Sequence, residues 1–356
     1  MILPSVFIVN DTYHIMVYTS HPTLVWAEIG GTYYYDDSNG ILRSDTFIHR
    51  IVVPQNCLDS VKSYTIYKRP IIERKAYFTE TAELIKESYD FHPVEGDVIR
   101  AYHISDAHNR IEEPIEAAGA FGNIDFLILN GDIPDSSQNI ENIINIYKIT
   151  SALTHGNVPV VFARGNHDMR GVCAERFAEY TPTDCGRTYY TFHLGSIWGM
   201  VLDCGEDKID SDIEYGNTIC CHSFREKETQ FIRNVIENAD REYASGEIDH
   251  RLIVVHMPFT RSTVYEVAEE IYAEWDMLLK EHICPDVMIA GHEHTVEIDR
   301  PGCEHDDCCG QPCPVVIGGT TNYKDYFAGA GYEFDKTGIT VTFTDSNKKV
   351  LGKERL

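Results

Sequence analysis

Long apolar runs are missing from this chain: no stretch of about 18 consecutive apolar residues occurs, which excludes an ordinary helical membrane span. Basic side chains are scarce as well. Only 30 Lys and Arg stand against 56 Asp and Glu, and the formal net charge of -26 repels nucleic-acid backbones and anionic membrane surfaces, so no nucleic-acid polymer is expected as a partner. Met1 to Asn10 is apolar but lacks a basic region and a small-residue cleavage site, so it reads as a first strand. Internal repeats and low-complexity tracts are absent. Eleven cysteines cannot all pair within one chain. Without a secretory signal the expectation is a reducing, cytoplasmic setting, although a mature chain whose leader had been removed would read the same way.

What is present suffices for two domains. The chain has 356 residues, more than one core usually fills, and 43% are hydrophobic. From Val6 to about Arg69 short runs rich in β-branched and aromatic residues recur, among them Tyr13 to Thr19, Thr23 to Ile29, Phe47 to Val53 and Tyr64 to Tyr67, with a turn cluster at Asp36 to Gly40. This predicts an antiparallel β-sandwich accessory domain over 1–75. Tyr33, Tyr34 and Tyr35 with Trp26 read as its alternating core and edge positions. Thr79 to Tyr89 has helical spacing, with Thr79 as N-cap, and predicts a helical linker over 76–96. The remaining 97–356 form the second domain.

Five polar fragments punctuate that second domain: Asp106-x-His108, Gly131-Asp132, Gly165-Asn166-His167-Asp168, His256 before Met257-Pro258, and Gly291-His292-Glu293-His294. Each follows an apolar run of strand length: Val98 to Ile104, Phe126 to Leu129, Val158 to Ala163, Leu252 to Val255 and Val287 to Ala290. Helical stretches separate the runs. Ile140, Ile143, Ile144 and Tyr147 share one face, as do Val264, Val267, Ala268 and Ile271, and a third helix is expected between Phe224 and Tyr243. Buried strands joined by helices describe β-α-β units, whose chemistry lies beyond the carboxyl ends of the strands. Thr188 to Leu194 and Ile197 to Asp203 read as a hairpin, followed by the charged loop Gly205 to Thr218.

The residue types suit a pair of metal ions that clamp the attacking and leaving oxygens of a phosphoryl displacement. Asp106 and His108, two apart on a strand-end turn, can both reach one ion, and Asp132 can bridge two with its two oxygens. Asn166, His256 and His292 complete the second ion; His294 returns to the first. Mixed imidazole and carboxylate ligation suits iron, manganese or zinc better than calcium. A hydroxide acidified between the ions then attacks phosphorus. Arg164 or Arg170 would help to neutralise charge on the phosphoryl oxygens.

In this order the fragments resemble the calcineurin-like metallophosphoesterase family over about Val98 to Thr344. The resemblance implies a four-layer α/β/β/α sandwich and a binuclear centre of divalent or trivalent transition-metal ions. Asp106, His108, Asp132 and His294 would hold one ion, and Asp132, Asn166, His256 and His292 the other. It also implies that His167 is no ligand but protonates the leaving alkoxide, a task that fits an imidazole expelling a poor leaving group. An orienting carboxylate is then needed: Asp135, where many family members carry one, or the neighbouring Asp168.

A β-sandwich ahead of such a domain is similar to purple acid phosphatases, with their fibronectin-like or Ig-like module. Those enzymes carry a tyrosine three residues after the bridging aspartate, where this chain has Asp135, and a glycine where it has His108. No ferric-tyrosinate chromophore is therefore expected. The function read from the sequence is hydrolysis of a small phosphomonoester or phosphodiester. The rivals are a nucleotide or cyclic-nucleotide phosphodiesterase and a non-catalytic binding module with a structural metal centre. A protein phosphatase fits less well, because Ser136 follows Asp135 where those enzymes have Arg. Finally, Cys303, Cys308, Cys309 and Cys313 form the densest cysteine cluster, either a structural zinc site or an ordinary reduced loop.

Overall fold

The computed structural model describes residues 1–302, 310–319 and 326–356. Among them, nine strands form one mixed sheet in the spatial order Val350–Arg355, Gly338–Asp345, Ala328–Asp335, Val98–Ile104, Phe126–Asn130, Pro159–Ala163, Ser5–Val9, Thr12–Tyr18 and Ile48–Pro54. Six more make a second sheet, Tyr190–Leu194, Ile197–Leu202, His250–Val255, Val287–Ala290, Val315–Ile317 and Glu297–Asp299. One core fills the space between these two sheets. Helices Glu112–Phe121 and Ile140–Thr154 cover the outer face of the first, and Cys221–Glu237 and Glu269–Leu278 that of the second. The result is the expected α/β/β/α stack.

Both faces of the central strands are therefore buried, which is why they read as unbroken apolar runs and not as alternating ones. Phe126, Leu127, Ile128 and Leu129 all have zero exposure. The Ile140–Thr154 helix starts where the Asn139 side chain accepts from the Asn142 N–H at 2.9 Å, and ends at His155 in the left-handed conformation. Its face of Ile143, Ile146 and Tyr147 closes over the sheet.

The N-terminal region is β-rich, and its strands lie where the runs place them. Its association differs from a self-contained sandwich over 1–75. Ser5–Val9 pairs in parallel with Pro159–Ala163, Val6 facing Pro159, and Thr12–Tyr18 and Ile48–Pro54 continue the same sheet. A smaller sheet of Ile85–Asp90, Ser63–Arg74, Thr23–Ile29 and Thr32–Tyr35 backs these three strands and shares the inner core. The reason is hydrophobic: Val6 and Ile8 face the inner core while Phe7 faces the helices, so this strand needs cover on both sides.

Two helical expectations are corrected. Thr79–Thr81 and Ile85–Asp90 are strands, not a helical linker over 76–96. The long Ser63–Arg74 strand offers an open edge, and pairing there stacks Tyr89 on Tyr64 at 5.2 Å and joins Lys68 to Glu87 at 2.6 Å; these contacts outweigh a modest helical propensity. The Val264 to Ile271 pattern is split between Ser262–Tyr265 and Glu269–Leu278, because Ala268 takes an extended φ of -156°. Of the cysteine cluster, Cys303, Cys308 and Cys309 lie outside the described residues. Cys313 is a buried free thiol that packs in the second core, and burial raises its pKa. No cysteine joins any metal-holding group among the described residues.

Candidate metal centre

Three strands of the first sheet and two of the second end at one place. Asn130 holds the two sheets in register there: its buried amide donates to the carbonyls of Val255 (3.0 Å) and Ile289 (3.1 Å). Its own carbonyl accepts from His256 Nδ1 at 2.7 Å and from Ser105 Oγ at 2.7 Å. Neither Asn130 nor Ser105 is singled out by the sequence, where both look like ordinary residues at strand ends. The only signal is an amide side chain directly after a four-residue apolar run.

Past the strand ends the backbone turns left-handed at five of the seven candidate ligands: Asp106 (φ 55°), His108 (44°), Asp132 (53°), His292 (69°) and His294 (52°). Each such residue costs about 1–2 kcal/mol relative to ordinary backbone, so their concentration here signals a functional demand. Backbone bonds hold the turns together. Asp106 N–H donates to Gly131 O at 3.1 Å, and His108 N–H to Asp132 O at 3.0 Å. Gly165 has to be glycine: a Cβ there would stand 2.1 Å from Asp132 Oδ1.

The side chains converge. Ligand atoms of Asp106, His108 and His294 lie within 4.8 Å of one another, and so do those of Asp106, Asp132 and His256. His256 Nε2 is 3.3 Å from Asp132 Oδ2 and 3.8 Å from Asp106 Oδ1, which is also 3.7 Å from His294 Nε2. His292 Nδ1 and Asn166 Oδ1 face each other at 3.2 Å. All seven candidate ligands thus meet at the mouth between the sheets.

Whether metal ions fit can be judged from the partners these atoms lack. Asp106 Oδ2 accepts from the His292 N–H at 3.0 Å and from Ser105 Oγ at 2.7 Å, while its buried Oδ1 has no hydrogen-bond partner. His108 Nε2 and His256 Nε2 are equally buried and unpartnered. Leaving such atoms unsatisfied costs about 1–3 kcal/mol each, and cations would satisfy them together. The field points the same way. Burial opposes a charged His256, yet the facing carboxylates of Asp132 and Asp106 raise its pKa to about 10, so the pocket attracts positive charge.

The other candidates are placed less uniformly. His167 lies beside the centre, Nε2 4.0 Å from Asp132 Oδ2, and is part-exposed. Its Nδ1 donates to the carbonyl oxygen of Asp135 at 2.8 Å, while the Asp135 carboxylate faces His108 Nδ1 at 3.2 Å. Asp135 thus meets His167 through its backbone only. Asp168 does not orient His167 at all: it is buried and accepts the N–H groups of Gly165 (2.7 Å) and Asp132 (3.4 Å). Burial and the charge of Asp132 push it up to about 8. Arg164 is turned away from the mouth, paired with the buried Asp203 at 2.7 Å and lying over the Phe224 ring.

Sandwiched sheets with carboxylate, imidazole and amide groups converging at their shared edge define a metal-dependent hydrolase of phosphoesters. The calcineurin-like phosphoesterase family model matches residues 99–296, more than half of the chain, and the chain belongs to that family. Among solved structures it is similar to the purple acid phosphatase PPD1 from seeds of yellow lupin (Lupinus luteus), at 11% identity and a TM-score of 0.63 over 99% of this chain and 73% of the other. It is also similar to a dimetal phosphatase from Danio rerio, at 13% identity and a TM-score of 0.50 over 74% of this chain and 98% of that one. At such identities these likenesses speak for the fold, including the β-rich N-terminal part in the lupin case. A comparison with curated proteins gives no match.

Proposed function

We propose that the chain hydrolyses a small phosphomonoester or phosphodiester with two transition-metal ions, iron, manganese or zinc, as cofactors. Asp106, His108, Asp132 and His294 would hold one ion; Asp132, Asn166, His256 and His292 would hold the other. The observation that carries this reading is the set of buried, unpartnered ligand atoms, Asp106 Oδ1, His108 Nε2 and His256 Nε2, facing one small volume. When bound, the ions supply an acidified water and offset phosphoryl charge.

The chain's own groups do the rest. Asn130 O holds the proton on His256 Nδ1, which leaves Nε2 free to ligate. The His167 N–H, at 2.9 Å, fixes Asp132 Oδ1, so that the carboxylate stays turned toward the other candidate ligands. Asp135 O, bonded to Nδ1, sets the His167 ring, and once Nε2 has taken up a proton from solvent His167 delivers that proton to the departing oxygen. Asp168 ties the Gly165 turn to Asp132. The 1–75 region is an accessory part that braces the Pro159–Ala163 strand, from whose end Asn166 and His167 emerge. The odd number of cysteines favours a cytoplasmic setting.

Turnover of p-nitrophenyl phosphate and bis-p-nitrophenyl phosphate, each with manganese, iron or zinc, tests the reading and separates monoester from diester preference. Asp132→Asn is expected to lose metal and turnover together. If neither ester turns over with any of the three metals, the proposal is wrong and a binding module is the better account.

A further inference from the structure

Arg170 stands where the metal centre meets the charged loop after Leu202. Its Nε and Nη2 donate to the two oxygens of Glu206, at 3.0 and 2.7 Å, and Nη2 also reaches Asp207 Oδ1 at 3.2 Å. The Glu206 side chain is only 1% exposed. The backbone that carries it is pinned in turn by the buried Arg225, which donates to the carbonyls of Cys204 (2.8 Å) and Glu206 (2.7 Å). A buried carboxylate that grips a guanidinium at two points fixes the plane of the whole fork.

The fork's remaining end, Nη1, points at His167 Nε2, 3.2 Å away. A guanidinium has donors only, so Nε2 accepts here and the ring proton sits on Nδ1, where Asp135 O takes it. A third of the Arg170 side chain remains exposed, and it lines a cavity of 600 Å3 together with apolar Met169 and Ile219, the acidic Glu175, Glu206 and Glu214, and Arg164. The chain of contacts from Asp132 through His167 to Arg170 therefore joins the centre to a space of ligand size.

An imidazole nitrogen is a weaker acceptor for a guanidinium than a charged phosphoryl oxygen, so a donor held this rigidly has a better partner once an ester arrives. We infer that Arg170 is a substrate-contacting residue: Nη1 exchanges His167 for a phosphoryl oxygen while Glu206 keeps the fork in place, and the cavity takes the organic part of the ester. This rests on the phosphohydrolase reading. Because a monoester carries more negative charge than a diester at neutral pH, the contact favours monoesters. Arg164 lines the same cavity, but its fork is not gripped at two points: its bond to Asp203 runs through Nε.

The test uses the full manganese-loaded chain, with inorganic phosphate binding by calorimetry beside p-nitrophenyl phosphate turnover. Arg170→Ala is expected to weaken phosphate binding and to raise KM by about ten- to a hundredfold, with little change in kcat or metal content. Arg170→Lys, or guanidinium added to Arg170→Ala, should recover part of the loss. Phosphate affinity within about twofold of the parent chain in Arg170→Ala overturns the inference, as does a loss that neither treatment relieves, or a parent chain that binds no phosphate. A parent chain that binds phosphate through Arg170 but turns over no ester with manganese, iron or zinc leaves the contact standing and removes the hydrolase reading instead.

Discussion

The carbonyl oxygen of Asn130 lies 2.7 Å from His256 Nδ1, while the Asn130 amide bonds to Val255 O and Ile289 O on the facing sheet. One residue thus sets both the tautomer of a candidate ligand and the spacing of the strands that present His256 and His292. Sheet registry and metal geometry are coupled through it.

Replacing Asn130 by Ala removes two buried bonds to backbone carbonyls of the facing sheet. A loss of about 2–4 kcal/mol is expected, read from the midpoint of urea unfolding. Asn130→Asp should be no better, because a carboxylate has nothing to donate. A loss under about 0.5 kcal/mol in Asn130→Ala would show that the sheets do not depend on this link.

His167→Ala should keep both metals while slowing the reaction, and the slowing should depend on the leaving group. For an alkyl phosphate the expected loss is about a hundred- to ten-thousandfold; for p-nitrophenyl phosphate, whose leaving group needs no proton, it is about tenfold or less. Equal losses on the two esters would remove the proton-donor role.

Gly165→Ala drives a methyl group into Asp132 Oδ1. The carboxylate must move, so metal retained after dialysis should fall well below the parent chain's, with a stability cost of about 1–3 kcal/mol. Gly119→Ala is the control. It sits within the Glu112–Phe121 helix with nothing near its Cβ, and should leave metal content unchanged.

Acid should weaken the fold through two buried imidazoles. Burial and the nearby charge of Arg50 lower His14 to about 3, and burial with the charge of His256 lowers His103 to about 3. An unfolded histidine titrates near about 6.5, so below that pH the unfolded chain binds protons that the folded one refuses. The effect of each histidine is nil above about pH 6.5. It grows to about 2 kcal/mol of lost stability at pH 5 and stops growing near pH 3. Unfolding of His14→Leu at pH 7 and pH 5 checks the sign: its drop should be smaller than the parent chain's by about that amount.

Much of the centre is legible before folding is considered. Asp106, His108, Asp132, Asn166, His256, His292 and His294 each follow an apolar run, and runs this short, set between helical stretches, fit buried strands that end where their polar residues begin. The helix at Ile140–Thr154 and the hairpin at Gly195-Ser196 are equally local and equally plain. Harder to read is the choice between Asp135 and Asp168 as partner of His167. Both are close in the chain, and the backbone turns alone decide that one offers a carbonyl and the other faces Gly165.

Local pattern is thus enough to name the candidate ligands, the strands that carry them and the chemistry of their class, because hydrophobic periodicity and short-range turn chemistry act between near neighbours. It cannot name the partners of those strands. That Val6 pairs with Pro159, that Asn130 reaches Ile289, and that Arg170 is gripped by Glu206 beside His167 all depend on contacts between distant parts of the chain. Such contacts are selected by how two sheets bury their faces together, and no stretch of neighbouring residues encodes that choice.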